Sequence, residues 1–192
     1  MRYSLFSLLI ALFFINVNAS AQVRKMDSTL KMGKVGYKIF CTNKSPEKNE
    51  LSIKPVGFDK DARDMAFPIR GQVKGAEIDD LNNDGFPDMV IYIYSGANGE
   101  MGTVYGFVSD QNKSYMPFAL PDVVLDGKLK EGYKGYDQFS LLEGKLMQEF
   151  PIYKDGDAKD KPSGGKRVVI YNVIGSADAG YKFKVQRTYD IK

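Results

Sequence analysis

The sequence predicts an all-β chain, an antiparallel β-sandwich of roughly 8–11 strands in one domain. Three observations predict it. Short runs of β-branched and aromatic residues recur along the chain, among them GYKIFCT, MVIYIY and RVVIYNVI. Turn residues separate these runs at intervals of ~8–15 residues. No stretch carries a convincing helical period.

The first element is not part of that domain. Arg2 gives a basic start, Leu5–Ile15 is an unbroken apolar run, and Ala19-Ser20-Ala21 fits a small-x-small cleavage site. Residues 1–21 are expected to be a secretory signal peptide, and residues 22–192 the exported domain, periplasmic or secreted. The residue directly after the cleavage site is Gln22 and not a cysteine, so no lipid anchor is expected there. The single cysteine, Cys41, has no internal partner and sits in a strand-like run, where a buried thiol is expected.

Taken in order, Gln22–Leu30 reads as a loosely held arm. Gly36–Thr42 and Leu51–Val56 alternate and flank the polar turn NKSPEKNE, so a hairpin is expected. Phe58–Met65 is charged and reads as a connection, and Ala66–Arg70 with Gln72–Asp79 lead onward. After the central stretch described below, Tyr115–Leu120 resumes as a strand. Pro121–Tyr133 reads as an irregular connection. Tyr136–Leu142 and Lys145–Tyr153 flank Glu143-Gly144 and predict a second hairpin, and Arg167–Ile174 with Tyr181–Tyr189 are the last strands. No internal repeat or second domain is expected.

The central stretch runs from Glu77 to Phe107. Asp80, Asn82 and Asp84 place side-chain oxygens at alternating positions, Gly85 permits a sharp turn, and Asp88 follows four residues after Asp84. This D-x-N-x-D-G spacing suits a Ca2+ ion, with Phe86 offering its backbone carbonyl and Asp88 a direct or water-borne contact. Ile91 stands where an EF-hand has its bidentate glutamate, and MVIYIY reads as a strand and not an exiting helix. Two readings therefore stand: a calcium loop between strands, or an Asx-rich turn that satisfies its own backbone. Next comes SGANGEMG, Ser95–Gly102, then the strand TVYGFVS. A connection this rich in glycine is either a flexible hairpin turn or a backbone shaped for contact.

The run DLNNDGFPDMVIYIYSGANGEMGTVYGF resembles the middle of the periplasmic inhibitors of invertebrate-type lysozyme. The likeness extends less tightly over Gly71–Val185. It implies a β-sandwich, export to the periplasm, a lysozyme as protein partner, and inhibition by a loop placed in the enzyme's active-site cleft. The loop would comprise Ser95, Gly96, Asn98, Gly99, Glu100, Met101 and Gly102, with Tyr105 on the strand behind. Where that family carries a serine and a tyrosine in its loop, this chain has Asn98 and Met101. An asparagine amide can donate to a carboxylate, and a methionine cannot replace a phenol. The acidic signature is also similar to one unit of the calcium-binding FG-GAP propeller repeats, of which a single copy occurs.

The chemistry that is absent narrows the function further. Histidine is missing altogether, which excludes Ser-His-Asp and Cys-His catalysis. Asp155 and Asp157 are two apart but lie in a polar turn, and adjacent Asp79 and Asp80 point to opposite faces of a strand. A non-enzymatic protein is expected. A formal net charge of +3 and no basic stripe argue against nucleic acid. The alternative to a lysozyme inhibitor is a calcium-stabilised exported module that binds glycan or protein.

Overall fold

The computed structural model describes residues 24–192; the expected signal peptide lies outside them. The chain is all-β and antiparallel, as its sequence predicts, with twelve strands in three four-stranded sheets. The first sheet is β1 (Met26–Met32), β2 (Val35–Cys41), β3 (Asn49–Val56) and β4 (Met65–Ile69). The second is β5 (Gln72–Asp79), β6 (Asp88–Ser95), β7 (Met101–Asp110) and β8 (Ser114–Ala119). The third is β9 (Gln138–Leu142), β10 (Lys145–Pro151), β11 (Lys166–Ser176) and β12 (Gly180–Ile191). Within each sheet every strand pairs with its neighbour in sequence. Among the described residues no helix is long and apolar enough to cross a membrane.

The second sheet lies between the other two, and this explains β6. A strand buried on one face alternates; a strand buried on both reads as a continuous apolar run. Met89, Ile91 and Ile93 pack with Tyr37, Ile39, Leu51 and Ile53 of the first sheet. Val90 and Tyr92 turn the other way, into a second core with Leu146, Phe150, Val169 and Tyr171. Each fully buried aliphatic side chain contributes about 1.5–3 kcal/mol. β6 is therefore the best-anchored strand in the molecule, and whatever it carries at its ends is rigidly mounted.

One local expectation changes. The segment read as a loose arm contains β1, which pairs with β2 from Met26↔Cys41 to Met32↔Val35. Its alternation, MDSTLKM, is diluted by polar residues because only one face touches the core. The expected antiparallel sandwich is built from three four-stranded sheets. The four-stranded meander also recurs three times in structure, although no repeat is visible in sequence. Pro121–Tyr133 is irregular as expected, apart from one 3-10 turn at Val123–Leu125 capped by Asp122. Cys41 is buried, its thiol donating to Oδ1 of Asn43 at 3.2 Å.

Candidate functional site

The β6–β7 connection projects from the well-anchored end of β6. Its last ladder pair is Ser95↔Met101, so Gly96–Glu100 forms the tip. The Gly99 N–H donates to the Gly96 carbonyl at 3.1 Å. Gly96 and Gly99 sit at φ 90° and 67°, left-handed values that glycine adopts without steric cost. A Cβ on Gly96 would also lie 2.8 Å from a Glu100 carboxylate oxygen. That carboxylate folds back over the turn. Its Oε2 accepts the Asn98 N–H at 2.8 Å, and its Oε1 lies 3.4 Å from Lys159 Nζ. The Asn98 amide, with help from Lys159, holds the Glu100 carboxyl below the usual glutamate range. Ala97, Asn98 and Met101 remain exposed.

A second segment, which sequence reasoning missed, grips this tip. The Tyr136 N–H donates to the Glu100 carbonyl, and Tyr136 has φ 64°, a costly conformation for a bulky residue. Next to it, Asp137 is 3% exposed. Its Oδ2 accepts the Gly102 N–H at 3.0 Å and the Tyr133 hydroxyl at 2.7 Å. Its Oδ1 accepts Gln148 Nε2 at 2.7 Å, and the Gln148 carbonyl in turn accepts the Tyr171 hydroxyl at 2.7 Å. Burial pushes the Asp137 carboxyl up, while the bonds from Tyr133, Gln148 and Gly102 pull it back. Two glycines in EGYKGYD were the only local hint: Gly135 tolerates no Cβ, which would stand 2.5 Å from the Glu100 carbonyl oxygen.

Surface depressions flank the tip on both sides. One of about 370 Å³ is lined by Arg70, Ser95, Met101, Thr103, Tyr133 and Gln148. Another of about 450 Å³ is lined by Pro46, Gln72, Lys74, Ala97 and Asn98. Ser95, Gly96, Asn98, Gly99, Glu100, Met101 and Gly102 are thus brought together. Tyr105 is not with them. It lies four residues along β7, half-buried, its ring 5.5 Å from Phe67.

The acidic loop occupies the opposite end of β6, eight residues or roughly 25 Å away. Asp80 wraps the turn, accepting the Asp84 N–H at 3.0 Å and the Gly85 N–H at 2.8 Å. Asn82 donates to Asp84 at 2.8 Å, and Asp84 accepts the Phe86 N–H at 2.9 Å. Asp88 points inward and is fully buried. Its oxygens accept the Leu81 N–H at 2.9 Å and the Ser109 N–H at 2.8 Å. Burial pushes Asp88 up to about 7; the two amides oppose this, and Asp84 and Asp80 add to it. Among the described residues no group of three or more Asp, Glu, His or Cys side chains is arranged to hold a metal ion. The acidic stretch also ties the sheets together. Asp79 accepts the Gly144 N–H at 2.9 Å, and Glu77 accepts the Leu141 N–H of β9 at 3.3 Å as well as the Tyr92 hydroxyl of its own sheet at 2.7 Å.

The other carboxylates weighed from sequence also serve turns. Asp157 accepts the Lys154 and Ser163 amides at 2.7 and 2.8 Å, which hold it low, while Asp155 is exposed. Compared with known proteins, the chain matches no family model, no curated protein and no solved structure.

Proposed function

We propose that the protein is an exported inhibitor of lysozyme type, which places the β6–β7 tip in the active-site cleft of a lysozyme. The observation that carries this reading is the tip's preorganisation. It is exposed at Ala97, Asn98 and Met101, yet its backbone is fixed by Glu100 from within and by Tyr136 and Asp137 from outside. A fixed loop avoids the ordering cost of binding, about 0.5–1.5 kcal/mol for each side chain that need not be immobilised. Asn98 is the donor that would meet the enzyme's catalytic carboxylates. Glycine keeps the tip thin enough for a narrow groove. The test is a panel of lysozymes of different classes acting on bacterial walls with and without the protein. Slower lysis by at least one class supports the reading; undiminished lysis by all of them defeats it.

A second reading is a calcium-stabilised binding module, and one observation favours it. Among the described residues the ion pairs include none of Glu77, Asp79, Asp80, Asp84 or Asp88. A cluster of carboxylates with no cationic side chain among them invites a cation. Asp80, Asn82 and Asp84, with the Phe86 carbonyl, would hold it, and Asp88 would serve behind them. Thermal melts with chelator and with millimolar calcium separate the two readings. A melting temperature that follows calcium supports this second one, and an unmoved melting temperature removes it.

A further inference from the structure

Asp137 is a buried carboxyl that forms no ion pair among the described residues. Each polar group that hydrogen-bonds its side chain is a donor: the Gly102 N–H, the Tyr133 hydroxyl and the Gln148 amide. Three converging donors suit an ionised carboxylate, which only accepts. Protonation fills the remaining lone pair with a donor and takes the charge off both oxygens, so all three bonds lose their charge assistance. Tyr133 and Gln148 can reorient to suit the new proton; the Gly102 amide belongs to the β7 backbone and is left with the weakened bond. Placing an unpaired carboxylate in a protein interior costs several kcal/mol, a cost the apolar core around it does not require. What the arrangement secures is the root of the tip, for Gly102 directly follows Met101.

We propose that Asp137 is the positioning residue of the β6–β7 tip and acts as its carboxylate, so that protonation of Asp137 loosens the tip and weakens partner binding. The partner half of this rests on the lysozyme-inhibitor reading; the loosening of the tip does not. The groups around Asp137 leave it as the titrating member. Tyr94 of β6, Tyr133 and Tyr171 of β11 are the other titratable groups nearby, and burial pushes all three hydroxyls up, so they stay protonated in acid and at neutrality. Asp122 and Asp126 lie further off, towards Tyr133 and Tyr171. Phe139 of β9 and Gln148 of β10 carry no charge. Burial pushes Asp137 itself up, which moves its proton uptake towards mild acidity.

The test is amide NMR of the free protein from about pH 8 to about pH 3, the range that spans a raised carboxylate. The Gly102 amide, the Gln148 side-chain amide and the Tyr133 ring, which all bond Asp137, should titrate with one shared midpoint above the ordinary aspartate value. Below it, the Gly102 protection factor, taken relative to an unstructured amide at the same pH, should fall about tenfold or more, the worth of one charge-assisted hydrogen bond. Asp137→Asn at neutral pH should reproduce the acid spectrum of the tip and lose the titration. If that variant fails to fold, Tyr133→Phe removes one donor and should raise the shared midpoint. Absence of a shared midpoint overturns the proposal, as does an Asp137→Asn tip indistinguishable from the native one at neutrality. A lysozyme that the protein inhibits should bind Asp137→Asn about tenfold more weakly. Equal binding overturns the link to the partner, whereas a tip that titrates in a protein binding no lysozyme defeats the inhibitor reading alone.

Discussion

The backbone N–H of Gly102 donates to Oδ2 of Asp137 at 3.0 Å, across 35 residues of sequence. That bond joins the second sheet to the segment entering the third, at the foot of the exposed tip.

The close approach makes Gly102 intolerant of a side chain. A Cβ there would lie 2.6 Å from Phe139 Cε2 and 2.8 Å from Asp137 Cβ. Gly102→Ala should destabilise the protein by about 1–3 kcal/mol, the usual cost of overpacking. Urea unfolding measures this, and an unchanged midpoint would mean that the two sheets separate more easily than their packing suggests.

Glu100 acts on the tip alone. Its side chain caps the Asn98 amide and meets Lys159 at the surface, with no part in either core. Glu100→Ala should leave the melting temperature within about 1 °C while Asn98 amide exchange quickens and lysozyme inhibition weakens. Unchanged exchange at Asn98 would show that the turn holds itself without this cap.

Ile91 tests the claim that β6 is the central support. It is fully buried between the sheets, so Ile91→Ala should cost about 2–5 kcal/mol by urea denaturation. A loss below about 1 kcal/mol would imply that the first sheet is loosely attached.

Stability should also depend on pH in a particular direction. Asp88 binds its proton more tightly folded, at about 7, than at its ordinary value of 3.8. Between those values the native state holds a proton that the unfolded chain has lost, so stability falls as pH rises from about 4 to about 7 and levels off above. The slope is at most about 1.4 kcal/mol per pH unit, and Asp137 adds to it with the same sign. Carboxylates held low, such as Asp126 and Asp157, act only below that window. Asp88→Asn should flatten the slope. A stability that rises across the window would contradict the buried state of Asp88.

Much of this was legible in the sequence, and the remainder has physical reasons for being hidden. MVIYIY announces a strand, and Glu143-Gly144 announces the turn between β9 and β10. The run does not say that both its faces are covered, because a short apolar stretch looks alike in a sandwich and in a middle layer. Met26–Met32 was hidden because its pairing partner, not its own pattern, makes it a strand. The glycines of Ser95–Gly102 mark the tip. Asp137 could not be assigned to it, since its partners Gly102 and Gln148 come from other strands and burial, which gives the carboxylate its character, follows from the fold.

The most direct test of the central claim is a binding competition. The protein is titrated by calorimetry into a lysozyme of each class, with the cleft first empty and then saturated with a chitin oligosaccharide; the account concerns the class whose wall lysis the protein slows. The account predicts binding to the empty enzyme that the oligosaccharide abolishes and that Asn98→Ala weakens. Binding undisturbed by the sugar, or no binding to the empty enzyme, would contradict it.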